Sequence, residues 1–179
     1  MRPTQRLGVE ICKRKGGRLS PMPLAPKPPS ASATEMVQVV LPNDANPMGF
    51  MLGGAVMHLI DLAAAIAAFR HAHELVVTAA VDGLEFLNPI RVGDFIVLKA
   101  RVTAVFKTSL EVEVTVFAEE ALTGRRQITS RAYLTFVTLE KEGARAEITP
   151  LDIQTEEERQ LQEAARTRRT EHLARRARI

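Results

Sequence analysis

Three stretches in the second half of the chain alternate hydrophobic and polar residues with the period of a half-buried strand. After Asp94, the residues Ile96, Leu98, Ala100, Val102 and Ala104 fall on one side, and Lys99, Arg101 and Thr103 on the other. Leu110, Val112, Val114 and Val116 alternate with Glu111, Glu113 and Thr115. Over 126–139, Ile128, Ala132, Leu134 and Phe136 oppose Gln127, Thr129 and Arg131. Gly93-Asp94 marks the turn before the first stretch and Gly124 one between the last two, and the short connections predict antiparallel neighbours. Residues 75–87 are strand-like until Asn88-Pro89 breaks the run, and a short strand at Met36–Leu41 ends at Pro42.

One segment keeps no such alternation. Ala55 to Phe69 is rich in alanine, a strong helix former, and only His58 and Asp61 interrupt its apolar surface. A helix apolar all round lies inside protein or lipid. Fifteen residues fall short of the ~20 that span a bilayer, and a central carboxylate also argues against lipid. The pattern therefore predicts an α+β fold in the order β-α-β-β-β-β, one sheet wrapping one central helix, with no membrane contact. A last helix begins at Thr155-Glu156-Glu157-Glu158, a capping box with acidic first-turn charge. Its thin apolar stripe (Leu161, Ala164, Ala165, Leu173) reads as a solvent-facing helix, or else as a basic face for an anionic partner.

Composition adds boundaries. Six of the ten prolines precede residue 30, and Ser20 to Thr34 has no periodicity. Residues 1–34 read as a disordered basic and Pro-rich segment, dispensable for folding and turnover. Residues 35–154 form the domain, and 155–179 the charged helix. The Lys13-Arg14-Lys15 cluster reads as a solvated tail, an anionic-surface contact or part of a transit peptide. Met22 and Met36 are alternative starts. Residues 1–34 carry seven Lys/Arg and one Glu, and 155–179 seven Arg and five Glu, so of the net +3 the body holds −5. That body lacks the positive footprint nucleic acid requires. A single cysteine, Cys12, excludes an intramolecular disulfide and a Cys-rich zinc site, and the His residues show no ligand spacing. A reducing, cytoplasmic setting fits.

Candidate chemistry centres on Asp61. A carboxylate in a buried apolar helix costs free energy unless paired, and burial raises its pKa. It is either functional or a structural residue bonded to a neighbouring strand or to His58, three residues earlier on the same face. Gly53-Gly54 stands where the helix begins. Free N–H groups there suit an oxyanion or a polarised carbonyl, or the glycines simply permit a tight turn. Gly54 and Asp61 are two helical turns apart, ~10 Å. Asn46 beside Pro47 reads first as a turn cap.

The string Leu41-Pro42-Asn43-Asp44-Ala45-Asn46-Pro47-Met48-Gly49, then Gly53-Gly54, then Met57-His58-Leu59-Ile60-Asp61, resembles the acyl-CoA thioesterase family of the hotdog fold. So do Val77-Thr78-Ala79, Val81-Asp82 and Phe86-Leu87-Asn88-Pro89-Ile90-Arg91-Val92-Gly93-Asp94. The likeness covers about Met36 to Leu139. It implies a hotdog fold whose protomers pair edge to edge, commonly as trimers of dimers. It also implies an acyl-CoA substrate and no cofactor or metal. By the same resemblance Asn46, Asp61 and Gly54 are the catalytic candidates, with the aspartate and asparagine acting across the dimer interface. Gly53, Thr78, Lys107 and Ser109 are the substrate-binding candidates. The family's usual Gly-Arg-Ser/Thr-Ser is Phe106-Lys107-Thr108-Ser109 here, and Leu52 replaces an aromatic residue or His. A non-catalytic acyl-CoA sensor on this fold lacks Asn46 or Asp61, and a hydratase needs a different Asp/His spacing.

Overall fold

The computed structural model describes residues 25–141 and 144–177; the Lys13–Lys15 cluster, Cys12 and Met22 lie outside the described residues. Strand β1 (Thr34–Val39) leads by way of a loop into helix α1 (Gly53–Ala72). Then follow β2 (Val76–Phe86), β3 (Phe95–Phe106), β4 (Ser109–Glu119) and β5 (Arg126–Thr138). A two-residue pair, β6 (Glu140–Lys141) with β7 (Ala144–Arg145), precedes helix α2 (Glu156–Arg176). The five long strands make one antiparallel sheet in the order β1-β3-β4-β5-β2. Short turns force β3, β4 and β5 to be neighbours, and α1 crosses the sheet face to join its two edges. This is the predicted hotdog architecture.

The core lies between α1 and the inner face of the sheet. Ala63, Ala64, Ala67 and Ala68 are fully buried, and their small side chains let the helix sit close to the strands. Against them pack Ile96, Leu98, Val112, Val114, Leu134 and Phe136, all inward-facing positions of the alternation. Two expected inward residues differ, each for the same reason. In β3, Val102 pairs with Val112 but Ala104 with Glu111, so Thr103 is an extra, bulged residue. The bulge reverses the parity, and Val105 rather than Ala104 packs on the core cluster. In β5 a bulge at Thr129 likewise leaves Ile128 exposed.

The structure corrects three further expectations. Helix α1 is 20 residues long, so the argument from length against a membrane span does not hold. What the fold shows instead is a helix laid on a sheet. Its covering is also one-sided within the chain: Met57, Leu62, Ile66 and Phe69 remain exposed on the face away from the sheet. Second, the expected linker is ordered before residue 34. Lys27 forms a bridge with Leu151, and Pro29 and Ser32 are buried. The Ser32 hydroxyl lies 3.2 Å from His71 Nδ1, in the last turn of α1. His71 Nε2 donates to the Thr149 carbonyl at 2.9 Å, so the ring ties together the N-terminal segment, the helix and the C-terminal connection. Removing residues up to 34 therefore strips a fully buried histidine of its cover.

His71 carries a testable consequence. Burial pushes its pKa below the usual 6.5, against the Thr149 bond, which favours the protonated ring. Below pH of about 6.5 the unfolded chain takes up a proton that the folded ring resists. The corresponding stability is full above that value and is lost as pH falls towards the folded pKa. Thermal melts between pH 7.5 and 5 will show a steeper acid decline for the native chain than for His71→Gln, whose amide does not titrate. Equal slopes would refute this role.

Third, α2 does not stand free in solvent: one of its faces packs on the sheet while the rest stays exposed. Its capping box forms as predicted, Thr155 accepting from the Glu158 N–H and Glu158 from Thr155. The helix then crosses the outer face of the sheet, where it buries Ala165 completely. Arg168 grips Glu111 through two bonds, Nη2–Oε1 at 2.7 Å and Nε–Oε2 at 3.0 Å, and lies over the Tyr133 ring. Glu111 and Glu113 are only 2% and 4% exposed, although valines surround them in sequence. Arg101 joins Glu113 at 2.8 Å to Glu157 at 2.9 Å. Burial alone would lower the pKa of both arginines. Their bonds to glutamate outweigh it and hold them charged more firmly than usual. The anionic partner of this basic helix is thus, in large part, the chain's own sheet.

Candidate active site

Two pieces of a site stand out on α1. The first is Asp61, which sits on the side of the helix towards β2. Thr78 Oγ1 donates to its Oδ1 at 2.7 Å. This places Asp61 with a neighbouring strand, as one of the two open readings had it, and His58 makes no bond to it. Within one chain the carboxyl is half-buried rather than sequestered, because the helix face bearing it is uncovered. The hydroxyl fixes one oxygen and leaves the other open.

The second piece is the start of the helix. Leu52 is the N-cap and no side chain caps the helix, whose first internal bond runs from Val56 N to Leu52 O. The N–H groups at Gly53, Gly54 and Ala55 therefore have no partner within the helix, and the positive end of its dipole lies behind them. A Cβ on Gly54 would meet nothing within 4 Å, and one on Gly53 only the Phe86 ring at 3.4 Å. Packing within the chain does not require glycine at 54, and the diglycine has negative φ. The tight-turn reading thus loses its basis at Gly54. Beside this end opens a cavity of about 320 Å³ lined by Met51, Gly53, Val56, Phe86, Asn88 and Ile90. Its walls are mostly apolar, and Phe86 and Asn88 were not among the sequence candidates.

Asn46 belongs to the same end, in the loop before α1. Its Oδ1 accepts from Met48 N at 3.0 Å and Phe50 N at 3.2 Å. The turn-cap reading is correct as far as it goes. Those two bonds also fix the amide orientation, so its NH2 group points away as a donor with no partner among the described residues. The loop is pinned to the helix start by Leu52 N on Asp44 O, and to the core by Met51 N on Ile90 O.

The structure does not bring the other candidates here. Lys107 is exposed in the β3–β4 turn and pairs with Glu147 at 3.2 Å. Ser109 is buried on the outer face of the sheet and accepts from Arg169 Nη1 at 2.8 Å. Register places Ser109 opposite Val137 and Val137 opposite Val77, next to Thr78 but on the other face. Among the described residues no cluster of His, Cys, Asp or Glu is arranged to hold a metal ion.

What the single chain offers is a fixed carboxylate and, two turns away, a set of free donors beside an apolar cavity. That pairing suits attack of a water on a carbonyl whose oxygen gains charge.

Comparison with known proteins is consistent with that chemistry. Residues 48–124 match the model of the thioesterase superfamily. An uncharacterised acyl-CoA thioester hydrolase of Bacillus subtilis is 38% identical over 132 residues, covering 74% of this chain and 77% of that protein. The human cytosolic acyl coenzyme A thioester hydrolase is 34% identical over 155 residues, 84% of this chain but only 40% of its own length. The crystal structure of an apo hexameric acyl-CoA thioesterase superposes with a TM-score of 0.80 at 37% identity, covering 86% of this chain and 98% of that one. An acyl-CoA hydrolase of Staphylococcus aureus, solved with butyryl coenzyme A and coenzyme A, gives 0.78 at 33% identity, covering 85% and 93%. That hydrolase has also been solved with an aspartate, an asparagine or a threonine replaced by alanine. Those three positions have the spacings of Asp61, Asn46 and Thr78.

Proposed function

Because the chain belongs to the hotdog-fold acyl-CoA thioester hydrolases of the thioesterase superfamily, we propose that it cleaves acyl-CoA at a site shared by two protomers. Thioester hydrolysis is the family's reaction; the residue roles are this chain's own reading. The observation that carries it is the Thr78–Asp61 bond, which aims a carboxylate from a helix face that the chain itself leaves bare.

That bare face argues for a second copy. Met57, Leu62, Ile66 and Phe69 on α1 adjoin edge strand β2, where Val81 and Phe86 are exposed. An unpaired strand edge beside an apolar patch is a template for an identical edge. Two-fold pairing of β2 with its copy runs the two α1 helices in opposite directions. The Gly54 and Asn46 end of one protomer then approaches Asp61 of the other. This supplies what a single chain lacks, since ~10 Å separates the two groups along one helix. The hexameric relative supports assembly of such dimers into a trimer of dimers.

In this site the thioester carbonyl accepts from the Gly54 N–H. Asp61 takes a proton from water as the water oxygen bonds to the carbonyl carbon, and the Asn46 NH2 group holds the water or the carbonyl. The tetrahedral oxyanion forms against the helix end. Its collapse breaks the carbon–sulfur bond and expels CoA thiolate, a weakly basic leaving group that takes up the proton. The acyl chain occupies the apolar cavity beside Gly53. Direct attack by Asp61, giving an anhydride that water then opens, uses the same groups. No cofactor enters either route, and the cytoplasm is the compartment this reading assigns.

A thiol-release assay across C2 to C18 acyl-CoAs tests the reaction. We expect turnover with at least one chain-length class. Tight acyl-CoA binding without thiol release at any length would instead make the protein a sensor.

A further inference from the structure

Ser130 breaks the pattern of its own strand. On β5 it shares the inner face with Ala132, Leu134 and Phe136, all part of the apolar core. It is 1% exposed, and register sets it between Phe86 on β2 and Val116 on β4. With Met51, Val56, Phe86 and Ile90 it walls the cavity of about 320 Å³ at the start of α1. A buried hydroxyl is normally paired, because leaving it bare forfeits the hydrogen bonds it had in water. Every other buried serine or threonine hydroxyl among the described residues is paired. Its neighbour Thr129 donates to Val116 O at 3.3 Å, and Thr138, in the same inward row, donates to Ala146 O at 2.9 Å. Ser130 Oγ has no hydrogen-bond partner among the described residues, and its open side is the cavity.

Packing does not account for this serine. An alanine at 130 would complete the apolar face and leave no polar group bare. The hydroxyl gains a use when something polar enters the cavity. Water pairs with it while the cavity is empty, but an acyl chain that fills the space drives that water out. A plain hydrocarbon chain then strands the hydroxyl, whereas a chain with an oxygen substituent pairs with it. Asn88, on the same wall, adds an acceptor. Its Nδ2 donates to Ile128 O at 2.9 Å, which leaves Oδ1 without a donor among the described residues. A hydroxyl substituent both accepts and donates and so suits this pair, while an oxo group only accepts. We infer that the cavity selects an acyl group that carries a hydroxyl on its chain, bonded to Ser130 Oγ.

The position of the acyl chain rests on the proposed hydrolysis. The unpaired hydroxyl in the cavity wall does not, so binding and turnover test the two separately.

Thiol release by the full chain from butyryl-CoA and from its 2-, 3- and 4-hydroxy derivatives provides the test. We expect one of the hydroxy esters to exceed butyryl-CoA by tenfold or more in kcat/KM, since a site built to pair a hydroxyl discriminates against the analogue that lacks it. In Ser130→Ala that preference shrinks to twofold or less, while butyryl-CoA is turned over at least as well as by the native chain. The substitution removes a donor and does not narrow the cavity, and circular dichroism will verify the fold. A serine with only a structural role would lower all the esters alike. Calorimetric titration with S-butyl-CoA and the matching S-hydroxybutyl thioethers, which have no carbonyl to attack, reads the same preference without turnover. Should no ester be cleaved, the hydrolysis reading falls and the thioethers decide: tenfold tighter binding of a hydroxybutyl thioether upholds the inference, and equal binding overturns it. Equal kcat/KM for butyryl-CoA and every hydroxy ester, or a parallel change of all of them in Ser130→Ala, also overturns it.

Discussion

Asp61→Asn is expected to lower kcat roughly 10²–10⁴-fold, the range for loss of a general base. The substitution is nearly isosteric. Its remaining carbonyl oxygen still accepts from Thr78, so the helix and its contact with β2 survive. What disappears is the ability to take a proton from water, or to attack carbon. KM should move little, because in the proposed mechanism the carboxylate acts on the reacting atoms rather than on the body of the ester. Thr78→Val is the milder companion. It removes the 2.7 Å bond but keeps the base, and its cost belongs to orientation. Steady-state kinetics on the best acyl-CoA separates the two. Activity of Asp61→Asn within twofold of the native protein would remove the carboxylate from the mechanism.

The second large effect concerns stability. Arg168→Ala leaves Glu111, 2% exposed, with only the Thr103 hydroxyl at 2.7 Å. Removing one partner of a buried pair costs about 3–5 kcal/mol, because the remaining charge stays desolvated. Arg168 is itself one-fifth exposed, and water entering the vacated space offsets part of that, so about 3 kcal/mol is expected. For a chain of this length the melting temperature should fall by roughly 6–12 °C. The double change Glu111→Leu/Arg168→Met should recover most of the loss, since apolar replacement of a buried pair is often neutral or stabilising. A fall below 2 °C for the single variant would mean that α2 contributes little to holding the sheet. The pair also has a structural reason to exist: the outer sheet face carries glutamates between valines, and only a basic helix can cover them.

Strand order and the central helix were legible because their signals are local. Alternation in β3, β4 and β5 gives the faces, and short turns give the neighbours. The bulges at Thr103 and Thr129 were not legible, since they depend on how long strands twist around α1. For α2, its charge obscured its role. Arg168 and Glu111 each look like surface residues, and 57 positions separate them. A cue was present in Glu111 and Glu113, which alternate with Leu110, Val112 and Val114 in a strand buried along most of its length. Ser32 and His71 were missed likewise, because a buried histidine and a segment after prolines are linked only through space. Of the site, Asp61 and Gly53-Gly54 declared themselves by composition. Asn46 came from resemblance alone, and its local bonds explain why: two backbone donors on Oδ1 look like an ordinary turn.

In the proposed site one protomer's Asp61 works with the other's Asn46 and Gly54. Co-expression of differently tagged Asp61→Ala and Asn46→Ala chains, followed by tandem purification of the mixed dimer, tests it directly. Each parent alone should be nearly inactive. In the mixed dimer one site is intact and the other carries both changes, so close to half the native activity is expected. A mixed dimer as inactive as its parents would mean that the two residues act within one chain, and would rule out the shared site.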